Sequence, residues 1–219
     1  MVPFKKSTYS EQTLTPIDYA ANFRITQKMV EDSAFGLFEL DVQEASYQSA
    51  KLIDNKVIGQ IQSGFDANST DHEVQGGATI TVTNITDAME FIEADSYIPT
   101  DLIVGSEVAN DLRNLDSFSE ANKSGGNSPQ NSLIGTIYGM NVMQSNNIPT
   151  YSFPSAGSTT GAKQALMIDR NHALSLGEKR AFTVSEYDEP QAMSRGFVAS
   201  MRFAALYLRA EASAGISTT

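Results

Sequence analysis

Tyr47 and Lys51 stand four residues apart in SYQSAK, a spacing that puts a phenol and an ammonium on one face of a helix. A lysine so placed lowers the tyrosine's pKa for proton transfer in dinucleotide-dependent dehydrogenases. That chemistry also needs a glycine-rich turn after an earlier strand to hold the phosphates. Nothing upstream of Tyr47 supplies it. DANSTDHEVQGG (66–77) begins like a calcium loop, with Asp66, Asn68 and Thr70 at alternating positions. It carries Asp71 where the sixth position needs glycine and Gly77 where the twelfth needs glutamate, so it fails at both defining places. His72 and His172 are isolated in sequence, and there is no cysteine to offer a thiolate. Glu31 and Asp32 suit the positive end of a helix dipole better than an acid–base pair. Gly76-Gly77 and Gly125-Gly126 lack the Lys-Ser/Thr of a phosphate-binding loop, and no Gly-x-Ser-x-Gly elbow is present. The sequence therefore nominates no catalytic, cofactor-binding or metal-ligating residue.

The composition sets the wider bounds. A chain of 219 residues with 41% hydrophobic content is long enough to bury a core. Fifteen basic against 26 acidic residues give a formal charge of −11, which opposes tight sequence-independent binding to nucleic acid. No apolar run reaches the roughly 18–20 residues that span a bilayer, so no membrane partner is expected. The first residues, MVPFKKSTYSEQ, lack the apolar stretch of a secretion signal, and a soluble intracellular product is the expectation.

The elements follow from periodicity. Residues 1–19 read as extended, bracketed by Pro3 and Pro16. From Asn22 to Gly64 the apolar positions recur at helical spacing, with Thr26 as N-cap and Ser63-Gly64 as stop. One continuous helix of about 36 residues would be roughly 54 Å long. No helix of similar length follows, so it reads as a rod laid across a sheet rather than part of a bundle. Residues 64–78 read as a turn-rich linker, TITVT (79–83) as a strand, and TDAMEFIEADSY as a helix capped by Thr86 or Asp87 and closed at Asp95-Ser96. DLIVG (101–105) is a short buried strand, and Ser106 caps a helix whose stripe is Val108, Leu112 and Leu115. Residues 116–131 form a long polar loop. QALMID (164–169) is a strand, RNHALSLG one or two helical turns ending at Gly177, and RAFTVSEYDE and GFVASMRFAALYLRA two long strands parted by Pro190. The class is α+β.

LIGTIYGMNVMQSNNIPT (133–150) alternates like two short strands broken by Gly135 and Gly139, with no nucleophile, histidine or acid. Glycine in such a ribbon permits a bend or the close approach of another backbone. The ribbon has company. RITQKMVEDSAFGLFELDVQEASYQSAKLID resembles the opening of the long helix in major capsid proteins of tailed phages and related archaeal viruses. PTDLIVGSEVANDLRNL is similar to that family's strand-then-helix unit, and SLIGTIYGMNVMQSNNIP to its glycine-spaced ribbon. ALMIDRNHALSLGEKRAFTVSEYDEP and RFAALYLRAEASAGI follow in the family's order, so the resemblance covers roughly residues 20–216.

The resemblance implies a Hong Kong 97-type capsid fold with a long spine helix, a peripheral domain (16–66 and 178–203) and an axial domain (67–177 and 204–219), preceded by a strip at 1–15. It implies a coat protein, not an enzyme and without cofactors, that self-assembles into an icosahedral shell of hexamers and pentamers around double-stranded DNA. Copies of itself are the main partner, with portal, scaffold or cementing proteins as further ones, and the location is the virion after assembly in the host cytoplasm. Phe4, Lys5, Lys6, Leu14, Gly135, Gly139 and Met140 become candidates for contacts between subunits. The family's usual N-terminal arm and full extended loop do not match here, since only residues 1–19 precede the helix. Encapsulin-type nanocompartments share the fold and are the alternative, although no N-terminal helix of the kind that forms their cargo site is read.

Overall fold

A computed structural model of the chain describes residues 12–32, 36–68, 72–115, 133–148 and 163–218. The extended residues 12–16 lead into strand β1 (Ile17–Thr26), and helix α1 (Gln27–Asp32) follows at once. Thr26 caps α1 as its spacing predicts, its Oγ1 accepting from the Met29 amide at 3.4 Å. The single helix of the sequence reading is divided: α1 is one short element, and α2 (Leu37–Asn68) is a second of 32 residues. Its end also differs, because Ser63 and Gly64 do not stop it. The Ser63 hydroxyl donates back to the Gly59 carbonyl at 2.9 Å, which accommodates the serine inside the helix.

Strand β2 (Glu73–Gln75) lies in what reads as linker, and helix α3 (Val82–Ala94) begins inside the supposed strand TITVT. The reason is a capping box. Thr81 Oγ1 accepts from the Asn84 amide at 3.3 Å, while Asn84 Oδ1 accepts from the Thr81 amide at 2.9 Å. Thr86 is therefore an interior residue of α3 that donates to the Thr83 carbonyl. The helix does close at Asp95-Ser96, with Ser96 in the left-handed region at φ 68°.

Strand β3 (Asp101–Val104) and helix α4 (Ser106–Asn114) match the reading, except that Gly105 is the cap residue and Ser106 makes no capping bond. Strands β4 (Leu133–Ile137) and β5 (Met140–Gln144) form the two-stranded ribbon, and β6 (Lys163–Ile168) follows. RNHALSLG is a tight turn and then strand, not helix. The Asp169 carbonyl and side chain accept from the amides of Asn171, His172 and Ala173, and this Asx-type turn competes with helix. Strands β7 (Leu174–Glu189) and β8 (Ser194–Tyr207) are the two long strands, joined by a 3-10 turn at Pro190–Ala192, and β9 (Ser213–Thr218) ends the fold.

Two sheets result. One is antiparallel in the order β1-β8-β7, and the other is mixed in the order β2-β9-β6-β3-β5-β4. Helices α3 and α4 cover one face of the second, where Ile85, Ile92, Val108 and Leu112 meet Leu102, Val142, Met167 and Ile216. Neighbouring residues of β6 point the other way. Leu166 and Ile168 pack with Ile58 and Ile61 from the later part of α2. The earlier part of α2 packs on the first sheet through Ala45 and Val42 against Phe23, Phe197 and Ala199. One helix thus touches both sheets, which is what a rod of about 48 Å can reach. The chain crosses between sheets at 169–173 and 208–212, and these crossings are tied by Leu208 N to Ala173 O and by Asp169 N to Ala212 O, both 2.8 Å.

Candidate functional site

The residues with most chemical potential are spent on holding the fold. His72 sits between Asp95 (Nε2 to Oδ2, 3.1 Å) and the backbone carbonyl of Ser213 (Nδ1 to O, 3.0 Å), and its ring stacks on Phe91. Asp, His and Ser are the residue types of a hydrolase triad, but the histidine meets the wrong atom of the serine. The Ser213 hydroxyl is buried and bonds the Tyr207 hydroxyl at 2.5 Å. Burial pushes the Tyr207 phenol above its ordinary pKa; the Ser213 bond opposes the shift and the Glu211 charge adds to it. This group stays a neutral strut.

A second polar cluster lies where β3 begins and β6 ends. Asp101 is fully buried and is held by the Arg170 guanidinium through two bonds, one of them Nε to Oδ2 at 2.9 Å, and by the Thr100 hydroxyl at 2.8 Å. Asp169, also buried, pairs with His172 at 2.8 Å. Burial raises the Asp169 pKa, but the His172 bond and charge and the amides of Asn171 and Ile98 outweigh it, so the carboxyl lies below its ordinary value. Tyr97 leans on His172 with ring centroids 5.4 Å apart and accepts from Arg209 at 2.8 Å. These residues fasten the crossings between the two sheets. The sequence reading missed them; Asp-Arg-Asn directly after a strand was the turn signal that could have shown them.

The remaining candidates divide. Tyr47 and Lys51 are both exposed on α2 with no site around them, and Glu31 and Asp32 end α1 rather than open the long helix. The side chains of Asp66, Asn68 and Thr70 lie outside the described residues, as do Phe4, Lys5 and Lys6 and the loop 116–131. Among the described residues no three acidic or histidine side chains gather as a metal would require. No helix among them is long and apolar enough to cross a membrane. Leu14 covers Gly177 of β7, where any side chain would overlap it.

The ribbon 133–148 shows why it keeps its glycines. Gly135 stands at φ 137° beside a register shift between β4 and β5, a bulge that bends the edge strand. Tyr138 and Gly139 form the two-residue turn at φ 48° and 85°, the left-handed pair of a type I′ hairpin. Met140, named as a candidate for contact between subunits, is fully buried in the main core, because alternation along β5 points it inward with Val142.

The first sheet carries its charges outside. Arg24 pairs with Glu189, Arg195 with Glu186 and Asp188, and Asp18 with Arg180 and Arg202, at 2.9–3.6 Å. The family model of phage capsid proteins matches residues 10–212. The chain belongs to the phage capsid protein family. Its fold is that of solved phage capsids. A solved structure from Mycobacterium phage Bobi superposes with a TM-score of 0.71 at 17% identity over 99% of this chain and 76% of that one. The bacteriophage PhiM1 mature capsid gives 0.68 at 14% identity over 100% and 78%. The SrpI encapsulin of Synechococcus elongatus PCC 7942 gives 0.64 at 8% identity over 93% and 73%. No curated protein matches the sequence. The chain is thus a major capsid protein of Hong Kong 97-type fold, a shell protein used in many copies in the virion.

Proposed function

We propose that this coat protein forms hexamers and pentamers that close into an icosahedral shell around double-stranded DNA, assembled in the host cytoplasm. It acts through self-association and carries no catalytic function of its own. In this reading the β1-β8-β7 sheet with the earlier part of α2 is the peripheral domain (16–66 and 178–203). The six-stranded sheet with α3 and α4 is the axial domain (67–177 and 204–219), and the strip 1–15 with Phe4, Lys5 and Lys6 reaches a neighbouring copy. The observation that carries the proposal is the family match over 10–212, on a chain whose His72, Asp101 and Asp169 clusters are committed to structure. Weak contacts suffice for such a shell because each copy makes several at once. A charge of −11 keeps a lining from gripping DNA, which would hinder packing and release.

The likeness to an encapsulin favours one second reading, a shell that encloses enzymes instead of DNA. Negative-stain electron microscopy with sedimentation velocity on the purified chain tests the assembly. Ring-shaped capsomers or closed particles are expected, and a chain that stays monomeric at all concentrations overturns the proposal. Particles isolated from the producing cells and treated with nuclease then separate the readings: protected DNA supports the coat, a single co-purifying enzyme the compartment.

A further inference from the structure

Tyr138 occupies a position where its residue type is a poor local choice. It is the first residue of the type I′ turn between β4 and β5, at φ 48°, a region that asparagine or glycine enters readily and a bulky residue rarely does. The residue is 55% exposed, so core packing does not explain the choice. The flanking residues hold the turn firmly: Ile137 packs against the main core, and Met140 is fully buried in it. Gly139 has open space where a side chain would stand, so there is room beside the ring. Among the described residues β4 is the outermost strand of its sheet, so the turn lies at a sheet edge. Backbone strain at an exposed residue points to a use outside the chain.

We propose that Tyr138 is an anchor that inserts into a second copy of this chain when the coat assembles, a contact that rests on the self-association described above. Residues 133–148 hold not one charged side chain in a protein of net charge −11. Two such copies repel each other on balance, and an uncharged ribbon tipped by an aromatic ring lets them meet at low electrostatic cost. Aromatic residues are enriched and charges depleted at the centres of protein interfaces. The same absence of lysine and arginine argues against DNA, whose phosphates need cations.

The test is Tyr138→Asn beside Tyr138→Phe, each read for subunit melting temperature under dissociating conditions and for particle yield by sedimentation. Asparagine relieves the turn, so the unassembled subunit melts about 2–4 °C higher, while particle yield falls at least about tenfold, one hot-spot aromatic's worth. Phenylalanine keeps the ring and assembles within about twofold of the wild type. Wild-type yield from Tyr138→Asn overturns the proposal, as does a lowered melting temperature, which would make the ring a packing residue of its own chain. Normal shells that protect less DNA also overturn it and assign the ring to nucleic acid. Wild-type chain that forms no particles removes the assembly reading itself, so the two failures are distinct.

Discussion

The six-stranded sheet has α3 and α4 on one face and the later part of α2 on the other, whereas the buried cluster of the three-stranded sheet is formed, among the described residues, with the earlier part of α2. The first has consecutive residues of β6, Gln164 through Ile168, all buried. The second has β7, a 16-residue edge strand with almost every side chain at least partly in solvent, and a small core around Phe197. One region is therefore buried from two sides, and the other is a long, ion-paired blade with much of its surface in solvent. A shell protein needs both, a rigid body and a surface left for its neighbours.

The sharpest way to break this comparison is to truncate one fully buried side chain in each core. Leu102→Ala leaves a cavity in the two-sided layer and should cost about 3–5 kcal/mol, enough to lower the melting temperature of the unassembled subunit by roughly 10 °C or more. Phe197→Ala removes a larger side chain but from the one-sided sheet, where α2 can settle and water can enter, and should cost about 2–4 kcal/mol. Hydrogen exchange separates them. Leu102→Ala should raise exchange throughout, while Phe197→Ala should raise it in β1, β7 and β8 and leave β3 and β6 protected. Uniform exchange in both variants would mean the two regions unfold as one, and the contrast would fail.

The contrast was partly legible in the sequence. Alternation with glycines at fixed places revealed the β4–β5 ribbon, and the Val108–Leu112–Leu115 stripe revealed α4. TITVT deceived because a β-branched run has strand propensity, and its capping box uses Asn84 where glutamate or glutamine is the familiar partner. β9 escaped notice because SAGIST has Ile216 as its one large apolar residue among small ones; its burial comes from its neighbours in the sheet more than from an apolar pattern of its own. The contact surface was least legible of all. Met140 looked like a candidate and is core, while Tyr138 carried no sequence signal beyond its place before a glycine, since its strain is visible only in φ.

The crossings between the regions give the next effect. Arg170→Ala leaves the fully buried Asp101 carboxylate with the Thr100 hydroxyl as its remaining side-chain partner and should cost about 2–3 kcal/mol. Arg170→Lys should recover only part, because an ammonium cannot reproduce the two-pronged grip. The neighbouring Asp169 adds acid sensitivity. Its folded pKa is depressed, so its contribution is complete above the ordinary carboxylate range and is lost as pH falls through the folded value. Melting temperatures measured between about pH 6 and pH 3 should therefore fall less steeply for Asp169→Asn than for the wild type. Equal slopes would show that other carboxylates carry the acid response.

The smallest effect is expected from the charges on the blade. Arg195 pairs with Glu186 at 3.1 Å and with Asp188 at 3.3 Å, but all three side chains are more than half exposed. In that setting the attraction is screened by water and salt and is offset by the cost of ordering long side chains. Arg195→Ala should then change the stability of the unassembled subunit by less than about 0.5 kcal/mol, a shift near the limit of a thermal melt. A neighbouring copy that covers these groups would displace the screening water and strengthen the same pairs. Particle stability should then fall more than subunit stability, and more at low salt than at high. A large loss in the isolated subunit would instead make the ion pairs, and not the α2 contact, the support of the three-stranded sheet.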